Sequence, residues 1–131
     1  MIIDSSAVVA ILLREPAWER LLDHIDGAGS APGIGAPTLV ETGIVLSARL
    51  GPAGKSLLAR FVEEGGLRRI AFTAEHWTVA VDAYLRYGKG RHPAALNFGD
   101  CLTYAVSRVA AEPLLCVGDD FTKTDLTLVT G

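Results

Sequence analysis

Cysteine is nearly absent from this 131-residue sequence, which contains only Cys101 and Cys116. Two thiols cannot form the disulfide framework of a small secreted protein, and they suit a reducing compartment, so we expect a cytoplasmic protein. Long apolar runs are lacking too. The longest one near the N-terminus, 7–13, has seven residues and no basic segment before it. A bilayer span takes about 20 residues, so we expect neither a membrane helix nor a signal peptide.

The sequence has no excess of basic charge. It contains 12 Lys and Arg against 15 Asp and Glu, a net charge of −3, so no overall positive field exists to attract nucleic acid. Any nucleic-acid contact must therefore be local. The densest basic stretch contains Arg86, Lys89 and Arg91, which we interpret as a hypothetical RNA-backbone contact because they cluster.

The 50% hydrophobic content excludes intrinsic disorder and is typical of a folded domain. Short apolar runs alternate with helical patterns, and no linker or repeat divides the chain. The pattern predicts one α/β domain over 1–131, with a central parallel sheet flanked by helices. Strands are predicted near 1–3, 34, 67–72 and 114–117, with a possible edge strand at 124–129, and helices near 7–13, 16–25, 37–50, 53–64, 74–87 and 98–110.

Acidic residues occupy unusual places in this pattern. Asp4 follows the first predicted strand, and Asp119 and Asp120 follow the last, so all three are expected at the carboxyl edge of the sheet. Glu41 lies inside an apolar helical segment, and Asp100 begins a helix. Each acid also has a simpler structural interpretation. Asp4 is interpreted as a helix N-cap, and Glu41 as part of a capping box in Thr38-x-x-Glu41. Asp100 is favoured at a helix N-terminus, and Asp119 and Asp120 are typical turn residues.

Carboxylates that converge repel one another unless a cation neutralises them. Oxygen ligands without histidine or cysteine select Mg²⁺ or Mn²⁺, and such a metal can activate water for phosphodiester hydrolysis. Other chemistries find no support, because the sequence lacks a nucleophile elbow, a Walker loop and zinc spacing. His24 and His76 are predicted on helix surfaces, and both thiols in the core.

Four segments resemble, in order and spacing, the motifs of PIN-domain nucleases, and more closely those of VapC-type ribonuclease toxins. The resemblance extends over essentially the whole chain, and the segments are Met1–Ala7, Leu39–Glu41, Asn97–Cys101 and Gly118–Phe121. It implies a single PIN-like domain and a Mg²⁺-dependent endoribonuclease. It also implies a homodimer and inhibition by a small VapB-type antitoxin. The apolar helix 37–50 is one possible dimer interface.

The resemblance also assigns roles to individual residues. Asp4 and Asp100 correspond to the principal metal ligands, Glu41 to a third acid, and Ser6 to a hydroxyl that supports the first aspartate. The fourth acid is assigned to Asp120, since the Asp-Phe pair aligns there, with Asp119 as the alternative.

Two other classes of function compete with this interpretation. A phosphatase with Asp4 as nucleophile would need a second acid where Ser6 stands. A catalytically silent PIN-like binding or regulatory module, such as an acidic-pocket receiver, would retain the fold without turnover. Asp4 is not paired with a second early acid, which disfavours a receiver.

Overall fold

A four-stranded parallel sheet forms the centre of this computed structural model, which describes residues 1–129. Its strands are β1 (Ile2–Ile3), β2 (Gly33–Gly35), β3 (Arg68–Ile70) and β4 (Leu114–Leu115). They lie in the order β3-β2-β1-β4. Chain order thus runs outward from β1 to β3 and then crosses to β4 on the other side of β1. In open parallel sheets, ligands bind at the carboxyl edge where the strand order reverses in this way.

Within residues 1–129, six helices surround the sheet, and each lies close to its predicted position. They are α1 (Ser5–Leu12), α2 (Trp18–Asp26), α3 (Ala36–Leu50), α4 (Pro52–Glu64), α5 (Ala74–Tyr87) and α6 (Phe98–Ala110). Gly51 separates α3 from α4 with φ +64°, a conformation that glycine adopts without strain. None of the helices within 1–129 has the length and apolar character needed to cross a bilayer.

Side chains of the central strands alternate between two hydrophobic clusters. Ile2 and Leu114 pack in the cluster that includes α5 and α6, whereas Ile3 and Leu115 pack in the cluster that includes α1 and α2. Successive strand residues point to opposite faces, so a run of consecutive apolar residues is what a sheet covered on both faces requires. This confirms the α/β fold with a central parallel sheet.

Two local predictions were wrong. Thr38 does not begin a capping box with Glu41, because α3 starts earlier, after Gly35, and the Thr38 hydroxyl is buried 3.3 Å from that of Thr103. His76 is not on the surface: it is 5% exposed, and its Nδ1 accepts a hydrogen bond from the Thr73 backbone N–H at 3.0 Å. It thereby completes a capping box at the start of α5.

The C-terminal segment is mostly turns rather than a strand. Leu128 forms a single parallel bridge with Leu114, so the predicted edge strand is reduced to one contact beside β4. Both thiols are free, with Cys101 buried and Cys116 half-buried.

Candidate active site

Asp4 lies at the end of β1 and is the N-cap of α1. Its Oδ2 accepts hydrogen bonds from the Ser6 backbone N–H at 3.1 Å and from the Ser6 hydroxyl at 2.6 Å, and the residue is 6% exposed. Within residues 1–129, no hydrogen bond is donated to the other carboxylate oxygen, Oδ1. Asp4 is therefore a helix N-cap, as the simpler interpretation predicts, and its Oδ1 is left for another partner.

Ser6 joins the two strands that meet at this edge. While its hydroxyl donates to Asp4, it accepts a hydrogen bond at 3.0 Å from the backbone N–H of Val117, just after β4. A single side chain thus fixes the Asp4 carboxylate and the beginning of the segment that contains Asp119 and Asp120.

Asp100 lies in the first turn of α6 and forms a reciprocal capping box with Asn97. The Asn97 backbone N–H donates to Asp100 Oδ2 at 3.0 Å, and the Asp100 N–H donates to Asn97 Oδ1 at 2.9 Å. The carboxyl is half-buried, and burial together with the charges of Asp120, Asp4 and Glu41 raises its pKa to about 6, against the opposing effect of the Asn97 hydrogen bond.

Glu41 reaches this group from the second turn of α3, against Gly99. A Cβ placed on Gly99 would lie 2.8 Å from Glu41 Oε2. Glycine at this position therefore leaves the room that the Glu41 carboxylate occupies beside Asp100.

Asp120 and Asp119 both lie in the exposed turn that follows β4. Asp120 is one of the three acids whose charge raises the pKa of Asp100, and Asp119 is not. Asp120 also acts with Asp4 on Cys116, although burial is the main reason that the pKa of this thiol rises to about 12. The structure thus brings Asp4, Glu41, Asp100 and Asp120 together into what we call the acid cluster, with Asp119 beside it.

The chemistry of the acid cluster suits a hard divalent cation. All its potential ligands are carboxylate oxygens, the donors that Mg²⁺ and Mn²⁺ prefer. Burial, and after it the charges of the other three acids, raises the pKa of Asp100, and a bound cation would offset those charges. As placed, no three acidic, histidine or cysteine side chains in the described part of the chain enclose a common centre. A cation would therefore have to draw these carboxylates closer together.

The three basic residues of the predicted RNA contact are used differently. Arg86 lies at the end of α5, where its guanidinium pairs with Asp125 at 3.4 Å and donates to the Tyr87 hydroxyl at 2.9 Å. Lys89 and Arg91 lie in the loop after α5 and are exposed. Lys89 lines the groove described below. Arg91 donates to the Leu85 backbone carbonyl at 3.4 Å, and Arg86 is held by Asp125 and Tyr87.

Sequence reasoning missed an apolar groove of about 700 Å³ between α5 and α6. Its rim includes Trp77 and Phe98, which are 58% and 82% exposed. Phe98 and Cys101 of α6 line this groove, whereas none of the four acids of the acid cluster does. The spacing of Trp77, Val81 and Tyr84 along α5 contained the signal for an exposed apolar stripe.

Sequence reasoning also missed the role of Asp125. Its carboxylate accepts a 2.6 Å hydrogen bond from the buried hydroxyl of Tyr104 and pairs with Arg86 and Arg108. Asp125 follows the Gly118–Phe121 segment by four residues, but nothing local indicates its partners, which lie 17 to 39 residues away.

Comparison with known proteins identifies the family of this chain. A family model described as PIN domain matches residues 1–126. Ribonuclease VapC36 of Mycobacterium tuberculosis (strain ATCC 25618 / H37Rv) is 48% identical over 126 residues, covering 96% of this chain and 91% of that protein. Ribonuclease VapC of Mycolicibacterium smegmatis (strain ATCC 700084 / mc(2)155) is 40% identical over 129 residues, covering 98% and 99%.

Solved structures show the same fold at low sequence identity. Mycobacterium tuberculosis VapC20, described as a Sarcin-Ricin loop cleaving toxin, matches with a TM-score of 0.81 and 18% identity over 99% of this chain and 98% of that one. VapBC2 from Rickettsia felis, solved bound to a DNA fragment from its promoter, matches with a TM-score of 0.76 and 16% identity, covering 98% and 96%.

Proposed function

This chain belongs to the PIN-domain family, among relatives named VapC ribonucleases, and on that premise we propose that it is a metal-dependent endoribonuclease, the toxin of a type II toxin–antitoxin pair. The observation that supports the proposal most directly is the acid cluster. Asp4, Glu41 and Asp120 all act on the half-buried carboxyl of Asp100 at the carboxyl edge of the sheet.

The proposed metal is Mg²⁺, with Mn²⁺ as a substitute, held by Asp4 and Asp100 together with one or both of Glu41 and Asp120. When bound, such an ion lowers the pKa of water and stabilises negative charge on a phosphoryl oxygen. Hydrogen bonds within the chain orient the two ligands. The Ser6 hydroxyl donates to Asp4 Oδ2, and the Asn97 backbone N–H donates to Asp100 Oδ2. In the absence of metal, protonation of Asp100 removes a charge that burial and the neighbouring acids disfavour, so proton and cation compete for that carboxyl.

The proposed substrate is RNA, held by its backbone through Lys89 and Arg91. Both are exposed in the loop that leads to α6, and Lys89 lines the groove that adjoins Phe98. Arg86 contributes less, because Asp125 already pairs with its guanidinium. A Lys89/Arg91 double alanine variant should lower cleavage and flatten its salt dependence, and unchanged salt dependence would remove this role from both residues.

The proposed protein partners are a VapB-type antitoxin and a second copy of the chain. Structural neighbours include toxin–antitoxin complexes, which supports the first partner. Exposed apolar side chains on α3 (Val40 and Ile44) and on α5 (Trp77 and Val81) leave two faces on which other chains could pack. Sedimentation at micromolar concentration tests the homodimer, and a monomer under those conditions would contradict it.

Cleavage of transfer RNA and total RNA by the purified protein tests the activity. Reactions contain Mg²⁺, Mn²⁺ or EDTA, and the variants are Asp100→Asn and the matched neighbours Asp120→Asn and Asp119→Asn. We expect discrete metal-dependent fragments that disappear with Asp100→Asn and Asp120→Asn and persist with Asp119→Asn. Equal inertness of all four proteins with either metal would contradict the nuclease and favour a silent binding module.

A further inference from the structure

The segment that contains Asp120 has no regular secondary structure. From 117 to 125 the backbone forms bends and turns, and Gly118 has φ +88°. Short-range hydrogen bonds shape the turns, such as the Thr122 hydroxyl to the Asp119 carbonyl at 2.8 Å and the Thr124 hydroxyl to the Phe121 carbonyl at 2.8 Å. These bonds do not connect the segment to the rest of the fold, so the location of Asp120 depends on where the segment is attached.

Three attachments hold it. At its start, the Val117 backbone N–H donates to Ser6 Oγ at 3.0 Å. In the middle, Phe121 is buried in the cluster that includes α5 and α6. At its end, Asp125 accepts a 2.6 Å hydrogen bond from Tyr104, which is itself 3% exposed, and pairs with Arg86 and Arg108 at 3.4 and 3.5 Å.

The last attachment is made by the helix that presents Asp100. Asp100, Tyr104 and Arg108 are spaced four residues apart along α6, so they lie on one face, one turn from the next. The first belongs to the acid cluster, and the other two bind Asp125. One rigid helix therefore sets the place of Asp100 and also of the end of the segment that brings Asp120 toward it.

We propose that Tyr104 and Asp125 are positioning residues for the acid cluster, which hold Asp120 beside Asp100 by attaching the 117–125 segment to the same face of α6. The inference rests on the proposed function, since it takes Asp120 as part of the metal site. Loss of the attachment leaves the end of the segment held only by Phe121 and by the Leu128 bridge to Leu114, which lets the turn with Asp120 shift relative to Asp100. Neither Tyr104 nor Asp125 contacts the acids.

Titration of Mn²⁺ into the metal-free chain by calorimetry tests this without any RNA. Tyr104→Phe removes only the hydroxyl, and we expect a several-fold loss of Mn²⁺ affinity, smaller than the roughly 10- to 100-fold loss on removing a direct hydrogen-bond partner of a metal ligand. Asp125→Asn keeps an acceptor for Tyr104 while losing the charge that pairs with the arginines, and should weaken binding less. Hydrogen exchange of the 117–125 amides should accelerate in Tyr104→Phe.

A double-mutant cycle shows whether the effect passes through Asp120. Once Asp120→Asn has removed the carboxylate, adding Tyr104→Phe should cause little further loss of affinity. Leu58→Ala, in the hydrophobic cluster that includes α1 and α2, is the control for general destabilisation. It should lower the melting temperature and leave Mn²⁺ affinity unchanged.

The possible failures are distinguishable. Losses that add in the double variant, or normal Mn²⁺ affinity in Tyr104→Phe, would overturn the positioning role while Asp120→Asn still weakens binding. Absence of Mn²⁺ binding by the unsubstituted chain would instead contradict the proposed function, and this inference with it.

Discussion

Replacing Asp100 by asparagine should abolish activity and, at neutral pH without metal, make the protein more stable. The carboxyl is half-buried among Asp120, Asp4 and Glu41, so its ionised form is unfavourable in the folded state. Asparagine has nearly the same shape, and its Oδ1 can still accept the capping hydrogen bond from the Asn97 backbone N–H. The substitution therefore removes the charge and retains the helix start.

The magnitude follows from the pKa. Folding raises the pKa of Asp100 from 3.8 to about 6, chiefly through burial. At 1.36 kcal/mol per pH unit this is at most about 3 kcal/mol. Because the side chain is only half-buried and solvent screens its charge, we expect about 1–1.5 kcal/mol, or roughly 3–7 °C in melting temperature.

The pH dependence has a definite sign. Because the folded-state pKa is higher than the unfolded one, the protonated carboxyl favours the folded state. This contribution to the free energy of unfolding is fully present below the unfolded pKa and is lost as the pH rises through the folded-state pKa. The difference between Asp100→Asn and the unsubstituted chain should therefore be small at pH 4, grow between pH 4 and 7, and level off above pH 7.

Thermal unfolding in EDTA from pH 4 to 8 measures this difference, with Asp119→Asn as a control that removes the same charge next to the acid cluster. Saturating Mg²⁺ should then stabilise the unsubstituted chain and leave Asp100→Asn nearly unchanged. If Asp100→Asn is destabilised at pH 8, or if its advantage does not vary with pH, burial and the neighbouring acids do not disfavour the Asp100 carboxylate as described.

Three further predictions concern the surroundings of the site. Gly99→Ala places a Cβ 2.8 Å from Glu41 Oε2 and should reduce cleavage and Mn²⁺ affinity about tenfold. Calorimetry measures the affinity, and circular dichroism shows that α6 still forms. Unchanged affinity would mean that Glu41 is not a ligand. Ser6→Ala removes a hydroxyl that bonds both Asp4 and the Val117 N–H, and should lower the free energy of unfolding in urea by about 1–2 kcal/mol. Ser6→Thr keeps the hydroxyl and should retain most of that free energy. Equal losses in the two variants would refute this bonding role. Glu112, whose pKa is lowered mainly by its hydrogen bond from the Met1 ammonium and further by Arg68, should stabilise above pH 4 and lose that effect as the pH falls. Glu112→Gln should therefore destabilise by about 0.5–1 kcal/mol at pH 7 and by progressively less as the pH falls below the ordinary range of a glutamate, and a loss that does not change with pH would argue against an ionic origin.

Local patterns were sufficient to predict most of the fold. Thr73 is the N-cap of α5, and Gly51 and Pro52 separate α3 from α4, at boundaries close to those of the predicted helices. Such signals act within a few residues, through backbone hydrogen bonds and allowed φ values, and so they can be recognised without knowing the tertiary structure. The short apolar runs at Ile2–Ile3 and Leu114–Leu115 predicted strands covered on both faces for the same reason.

Long-range partners could not be predicted this way. Thr38 matched a capping box in sequence, yet its hydroxyl lies against Thr103, 65 residues away, since α3 packs on α6. His76 matched a polar surface position, but its ring is buried and lies 5.1 Å from that of Phe72. In each case the side chain could make two different contacts, and the packing of the helices selected one.

The sequence by itself determined which acids could meet. Asp4, Asp100 and the Asp119-Asp120 pair follow strands or begin helices, and the carboxyl ends of parallel strands lie at one edge of the sheet. Only the tertiary structure brought Asp120 rather than Asp119 to bear on Asp100, left space at Gly99 for Glu41, and attached the C-terminal segment to Tyr104. The physical reason is that strand order and helix packing join residues far apart in the chain, whereas sequence patterns report only on neighbours.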